Sequence, residues 1–496
     1  MAGQSTSLDP TEFKPGEPVI LEPGEIELRR SLGPFHLVAL GIGAIIGAGI
    51  FVITGHAAAS YAGPGVVISF AIAGTGCLFA GLCYAEYAAM IPVAGSAYTY
   101  TYAALGRFMA WFIGWNLVLE YLAAASTVSV GWSGYFNDFM TKQLGLDIPA
   151  QFASAPIAVH GFHQFALTGT YFNLPAVALI AMVSTLLIVG VHLSANFNNL
   201  MVAIKLSIVV LVIAVGLPHV VAANHTPFIP ANTGTFGQFG WTGIFRATGV
   251  IFFAYIGFDA VSVAAQEARN PQRDMPIGIL GSLLLCTVLY MLMSYVLTGL
   301  ASYTTLNVAH PVSMAVESIP ETAWLGKFVN VGAIVGLASV VLVLLLGQSR
   351  IFYAMSRDGM FFKLFSDVHP RFRTPARGTV ITGAFAAVLA GVLPLDILGE
   401  LVSIGTLLAF VIVCLGVMIL RITKPRAVRP FRAPVVWLVA PLGMAMCVFM
   451  MVYLPIDTWL RLAGWTVIGL IIFFAYGIRH AKAPRWKILE APTTAE

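Results

Sequence analysis

The chain has 496 residues, 58% of them hydrophobic and only 10% charged, where soluble domains carry about 25% charged residues. Mean hydropathy is +0.87 and the formal charge is +4. These values exclude a soluble globular protein and describe an all-α polytopic membrane protein, in which the placement of charge matters more than its total.

Residues 1–33 are polar, contain Pro10, Pro15, Pro18 and Pro23, and show no cleavable signal pattern, so they read as a tail. Twelve apolar runs follow, each long enough for ~30 Å of hydrocarbon. They lie near 35–60, 65–91, 106–137, 174–193, 197–222, 242–265, 276–300, 327–355, 378–395, 398–421, 434–454 and 458–479. The third and eighth are too long for a perpendicular crossing and are expected to tilt or project into water. With both ends on one side, that side receives 21 of the 26 Lys and Arg residues. The opposite loops hold Lys142, Lys327, Arg461 and marginally Arg246, and Lys205 lies inside a span. The positive-inside rule then places both termini in the cytoplasm. Cys77, Cys83, Cys286, Cys414 and Cys447 all fall in apolar runs and are expected as free thiols.

The first and sixth runs are interrupted by residues unsuited to an ordinary membrane helix. One is Gly41-Ile42-Gly43-Ala44-Ile45-Ile46-Gly47-Ala48-Gly49-Ile50-Phe51, the other Phe252-Phe253-Ala254-Tyr255-Ile256-Gly257-Phe258-Asp259-Ala260. Broken helix at membrane depth is tolerated only where it faces protein or lines a cavity. Paired breaks at matching positions of two halves point to the binding site of a secondary transporter. The breaks open successive groups of five spans, an odd number, so the second five-span unit starts from the opposite face and is inverted. The chain thus divides into a cytoplasmic tail (1–33), a first five-helix repeat (34–222), an inverted second repeat (241–425), two accessory helices (433–480) and a second cytoplasmic tail (481–496).

At the first break, glycines let the backbone unwind and a ligand approach, and the half-helix that follows offers free N–H groups to a carboxylate. The alternative is close helix packing through the small pair Gly43 and Gly47. At the second, carbonyls from Phe253 to Ile256 are candidate acceptors for an ammonium, with Phe253 or Phe258 as cover. Asp259 is costly at this depth and suits an N-cap of the second half-helix. Lys205 lies about eight residues into the fifth run, ~12 Å deep at ~1.5 Å per residue. Its ammonium there can stand in for a sodium ion against the carbonyls of the first break and gain or lose a proton during a cycle. A static pair with a carboxylate is the alternative. Glu86, near a span end, reads as a structural partner. Glu120, near mid-depth, is a candidate contact for a cationic substrate side chain, a proton site, or a helix-packing group. His160-x-x-His163 has metal-compatible spacing but no acidic or Cys companion in its loop, so no metal is expected. The basic cluster from Lys424 to Arg432 reads as topology and headgroup contact.

Residues 30–480 resemble the amino acid–polyamine–organocation superfamily, nearest to bacterial members of the cationic amino acid transporter family. The resemblance rests on Gly43-Ala44-Ile45-Ile46-Gly47-Ala48-Gly49-Ile50-Phe51, Pro92-Val93-Ala94-Gly95-Ser96-Ala97-Tyr98, and the second break from Phe252 to Asp259. It continues through Glu267-Ala268-Arg269-Asn270-Pro271 and the run from Gln348 to Gly359. It implies a leucine-transporter-like fold and L-amino acid import coupled to protons, without a sodium site or other cofactor. It implies a substrate carboxylate at the backbone of Ala48 and Gly49, within the set Ile46, Gly47, Ala48 and Gly49. It places the substrate amine at the carbonyls of Phe253, Ala254 and Ile256, and matches Lys205 to the proton-linked lysine. Ala48 stands where Thr or Ser is common. The expected partners are an L-amino acid and membrane lipid, with no nucleic acid, in a bacterial inner membrane. Cationic selectivity, obligate exchange and a non-transporting sensor remain alternatives. The spans lack the clustered nucleophiles that a membrane enzyme would need.

Overall fold

The computed structural model describes residues 19–21, 32–92, 96–160, 164–190, 195–263, 265, 268–372, 374–482 and 486–488. Most of both tails, His163, Glu267 and residues 93–95 therefore lie outside the described residues. The protein is mostly helical. Among the described residues, eight helical runs are long and apolar enough to cross a membrane, and four shorter apolar helices accompany them.

The first apolar run is α1 (Pro34–Ile45), a bend, then α2 (Thr54–Ala57) flanked by π-helical turns Gly49–Ile53 and Ala58–Ala62. Next come α3 (Val66–Met90), the short α4 (Ser96–Leu105), α5 (Arg107–Leu144), α6 (Leu174–Val189) and α7 (Ala195–Gly216). The second half opens with α8 (Gly240–Ile251), a 3₁₀ turn (Phe252–Tyr255) and α9 (Ala260–Val263). It continues with α10 (Pro271–Leu300), α11 (Pro311–Glu317), α12 (Leu325–Arg357), α13 (Ala376–Val392), α14 (Leu395–Thr423), α15 (Val436–Val452) and α16 (Ile456–Ile472). All twelve apolar stretches thus fall on helices or broken helices. The long third and eighth ones become helices of 38 and 33 residues.

Helix ends follow local chemistry. Pro34 opens α1, where its missing N–H costs nothing. The Asn173 side chain accepts from Ala176 N–H at 3.2 Å to cap α6, and Gly190 closes that helix at φ +82°. Lipid gives no hydrophobic drive between helices, so close approach of small residues holds them. Gly81 of α3 fronts Leu283 of α10, and Gly74 fronts Thr287.

The two most extensive pairings join α5 with α12 and α3 with α10; α1 also packs on α10, α14 on α5 and α15, and α6 on α13. The two broken segments also touch each other. Strands β1 (Val19–Leu21) and β4 (Trp486–Ile488) pair antiparallel, so these segments of the two tails meet on one face. Leu32 bridges Ala268 on that face, with Arg269 N–H on Leu32 O at 2.8 Å. A second hairpin, β2 (Ile157–His160) with β3 (Gln164–Leu167), lies between α5 and α6. All five cysteines are buried and free.

Candidate functional site: the two broken helices

Helix α1 stops where Ile46 turns extended (φ −72°, ψ 97°), and helical geometry resumes at Ala48. The stop frees carbonyls at the end of α1 and leaves the first N–H groups after it without intrahelical acceptors. The second break is sharper. Ile256 is extended, and Gly257 sits at φ +117°, a conformation that side chains resist. The breaks meet backbone to backbone. A Cβ on Gly49 would collide with Cβ and Cα of Ala254, and one on Gly257 would lie 2.8 Å from the carbonyl of Ala44. Gly49 therefore serves helix contact directly, and Gly47 faces Val340 of α12.

Lys205 is fully buried on α7. Its ammonium donates to Gly43 O, and to Ile46 O at 3.1 Å, with the Ser339 hydroxyl at 3.5 Å. A cation thus sits at the carbonyl end of α1, where the helix dipole favours positive charge. No carboxylate pairs with it among the described ion pairs. Tyr290 of α10 bridges the two breaks, its hydroxyl 2.7 Å from Ile45 O and 2.8 Å from Ala254 O. One proton serves both carbonyls.

Between the breaks lies a cavity of about 10 Å³, room for roughly one water. Ala44, Ile45, Gly47, Ala48 and Gly49 of the first break form one wall, and Ala124, Val128, Phe253, Ile256, Val340 and Leu344 form the rest. Every side chain lining it is apolar. Of the residues expected at the site, Ile46, Ala254 and Glu120 do not line it. The Ile46 carbonyl goes to Lys205, and Ala254 packs on Gly49. Glu120 lies four residues from Ala124 along α5, ~6 Å. Two of the three carbonyls expected to receive an amine are already engaged, Phe253 O by Ile256 N–H and Ala254 O by Tyr290.

Glu120 is buried, and neither carboxyl oxygen has a hydrogen bond of good geometry. Asp259 follows the second break and is buried, its Oδ1 without a hydrogen bond of good geometry. Its Oδ2 accepts from Tyr121 of α5 at 2.9 Å. The amide of Gln348 on α12 is also buried without a partner.

The cavity is shut on both sides. Towards the face opposite the paired tails, Tyr135 of α5 donates to Phe51 O at 2.6 Å, and Val312 N–H reaches the same hydroxyl at 3.4 Å. Above it, Asp138 meets Lys142 at 2.8 Å, Asn330 at 2.7 Å and His310 at 3.4 Å. Burial holds the His310 imidazole below the usual histidine range, against the pull of Asp138. His56 contacts Asn307 at 3.0 Å and Asp396 at 3.4 Å. On the tail side, Glu86 pairs with Arg421 at 2.6 Å and Arg429 at 3.3 Å, and accepts from Ala433 N–H at 2.8 Å. Arg429 also ties the carbonyls of Leu420, Lys424, Pro425 and Ala427. It is thus a buried brace rather than the headgroup contact expected of its cluster. The sequence reading missed Tyr290, Tyr135 and Tyr121. The available signal was a tyrosine hydroxyl deep in an apolar run, which must find an acceptor there.

The pattern of the family described as amino acid permease matches residues 32–476. The chain belongs to that family. This is the superfamily that the break motifs implied, and its members are transporters rather than enzymes. The branched-chain amino acid permease BcaP of Bacillus subtilis is 45% identical over 460 residues, 92% of this chain and 95% of that one. The methylthioribose transporter of the same organism is 42% identical over 468 residues, 94% of this chain and 98% of its own length. Human cationic amino acid transporter 4 is 35% identical over 402 residues, 81% of this chain and 61% of that protein. The motif-bearing helices thus belong to an amino acid permease in a membrane.

Proposed function

We propose that this permease imports neutral aliphatic L-amino acids across a bacterial inner membrane by proton symport, with Lys205 as the proton site. The observation that carries the reading is the Lys205 ammonium on the carbonyls of Gly43 and Ile46. Protonated, it holds the first break in its substrate-binding shape; deprotonated, it gives up those carbonyls and releases the break. No sodium ion is then needed at that position.

The substrate carboxylate takes the N–H groups at Ala48 and Gly49, and its amine takes the carbonyls of the second break. The site must widen to admit them, through movement of the closing residues on one face at a time. The apolar cavity lining and the position of Glu120 outside it favour a neutral side chain over arginine or lysine. The methylthioribose transporter's similarity favours a second reading, in which an uncharged thioether-bearing compound shares the pocket. Counterpart pairing of α3 with α10, α5 with α12 and α6 with α13 supports two inverted five-helix repeats of leucine-transporter-like design, in a chain of twelve spans. The meeting of β1 and β4 supports an even number of crossings, and the excess of basic loops on that face supports cytoplasmic termini.

The deciding experiment is uptake of labelled leucine, alanine, arginine and methylthioribose into proteoliposomes, with and without an inward pH gradient. Gradient-driven accumulation of leucine or alanine alone supports the reading. Accumulation of arginine alone, or leucine exchange indifferent to the gradient, overturns it.

A further inference from the structure

Lys205 holds the tail-side half of the first broken helix. The opposite half carries a second basic group, His56 of α2, which is buried. Its Nδ1 lies 3.0 Å from Asn307 Oδ1 and 3.5 Å from Ser60 Oγ, and its Nε2 lies 3.4 Å from Asp396 Oδ1. Both ring nitrogens thus face side-chain oxygens, and only an imidazolium donates to both at once. A neutral ring must turn the Asn307 amide over or set a bare nitrogen against an oxygen. The partners come from separate elements: Asn307 precedes α11, and Asp396 lies in the first turn of α14.

The other charges near this ring are engaged elsewhere. Arg246 of α8 lies over the Tyr61 ring at 4.6 Å, and Tyr61 packs edge-on to His56 at 5.5 Å. Glu400, one turn beyond Asp396 on α14, accepts from Thr458 at 2.9 Å and lies 3.7 Å from Arg461 of α16. His310, just before α11, turns to Asp138, which Lys142 also holds. Helix α10, also packed on α2, carries no charged residue beyond its first turn. Among the described ion pairs, Asp396 has no partner but His56, and its side chain is 38% exposed. One acid is left for one imidazolium, in contact with water on the face opposite the tails.

We propose that His56 is an external proton sensor: as an imidazolium it latches the outer half of the first broken helix to α14, and on losing the proton it lets the two part. The latch rests on the reading of the two breaks as an alternating-access site. Histidine changes charge between pH 5 and 8, so the latch supports closure at acid pH and is lost as pH rises. Because Asp396 keeps its water contact while the closure is shut, the proton enters and leaves on one face. It is therefore not carried across. It sets how often the outer face opens and leaves the accumulation ratio to Lys205.

The test uses the full-length protein in right-side-out vesicles, with Val128→Cys as a reporter in the central cavity wall and a membrane-impermeant maleimide outside. The native cysteines are buried, and Gln143→Cys, exposed at the outer end of α5, corrects for the pH dependence of the thiol itself. With internal pH fixed, raising external pH from about 5.5 to about 8 should speed corrected labelling about two- to fivefold, the weight of a partly exposed ion pair. His56→Gln and Asp396→Asn should each flatten that profile at its fast level. Without the reporter, both should accumulate leucine to the parent ratio under a fixed gradient. A flat parent profile, or one kept by both variants, overturns the latch and leaves the symport reading standing. A lowered accumulation ratio in either variant would make the proton a carried one and also overturns it. Absence of Val128 labelling at every pH in every variant overturns the alternating site itself, and the latch with it.

Discussion

Removing the Lys205 amine is the perturbation with the clearest expected outcome. Among the described residues one basic group meets the first break, so on the proposed symport reading one proton is expected to move per substrate. A pH difference of one unit is worth about 1.4 kcal/mol per proton, or roughly tenfold accumulation. Lys205→Ala should reduce that ratio to unity, because the proposed reading assigns the coupled proton to this amine alone. The same change strips donors from the carbonyls of Gly43 and Ile46. Leaving buried acceptors unpaired costs about 1–3 kcal/mol each, so substrate affinity should fall at least about tenfold without vanishing. Lys205→Arg sharpens the test, since a guanidinium stays charged throughout: exchange should persist while net accumulation is lost. The assay is labelled leucine in proteoliposomes, with an inward gradient for accumulation and equal pH with internal substrate for exchange. Tenfold gradient-driven accumulation by the Ala variant would refute the argument and move the proton site to Glu120 or Asp259.

Four further outcomes are expected. Gly49→Val should abolish uptake with membrane expression largely retained, because its side chain would drive Ala254 away from the first break; near-normal uptake would remove this contact from the site. Ala124→Val should cost leucine about 1–3 kcal/mol relative to alanine, the usual discrimination for a methyl-sized change in an apolar pocket, read as a shift in the ratio of uptake efficiencies. Glu120→Gln should leave preference between arginine and alanine unchanged; a loss of about 1.5–3 kcal/mol confined to arginine or lysine would return Glu120 to the pocket. Glu86→Ala should destabilise the fold by about 3–5 kcal/mol, the effect of orphaning one side of a buried ion pair, seen as a lower melting temperature in detergent with binding intact at low temperature.

The helical stretches and both breaks were legible because lipid allows few backbone solutions, and glycine placement marks the departures from them. Lys205 was legible for the same reason, since a cation at that depth demands carbonyls and the nearest broken helix supplies them. The facing of Glu120 was not legible: on a helix apolar nearly all round, a register of four residues decides between lining a cavity and lying beneath it. Tyr290 and Tyr135 escaped because their acceptors, Ile45, Ala254 and Phe51, are distant in sequence and offer only backbone. Arg429 looked like one of several surface charges. Only the fold shows that it brings Glu86 and four carbonyls together.

The contact between the breaks has a mechanical consequence. Gly49 rests on Ala254, Gly257 rests on Ala44, and the Tyr290 hydroxyl spans Ile45 and Ala254. With contacts this close at both glycines, sliding one broken helix along the other would drive backbone into its neighbour. On the proposed symport reading the two breaks would therefore travel together while α5 and α12 move past them, apart from the local release of Gly43 and Ile46 when Lys205 loses its proton. Spectroscopic labels placed one on each break should keep a constant separation throughout the cycle, while either label's distance to α5 or α12 swings with every turnover.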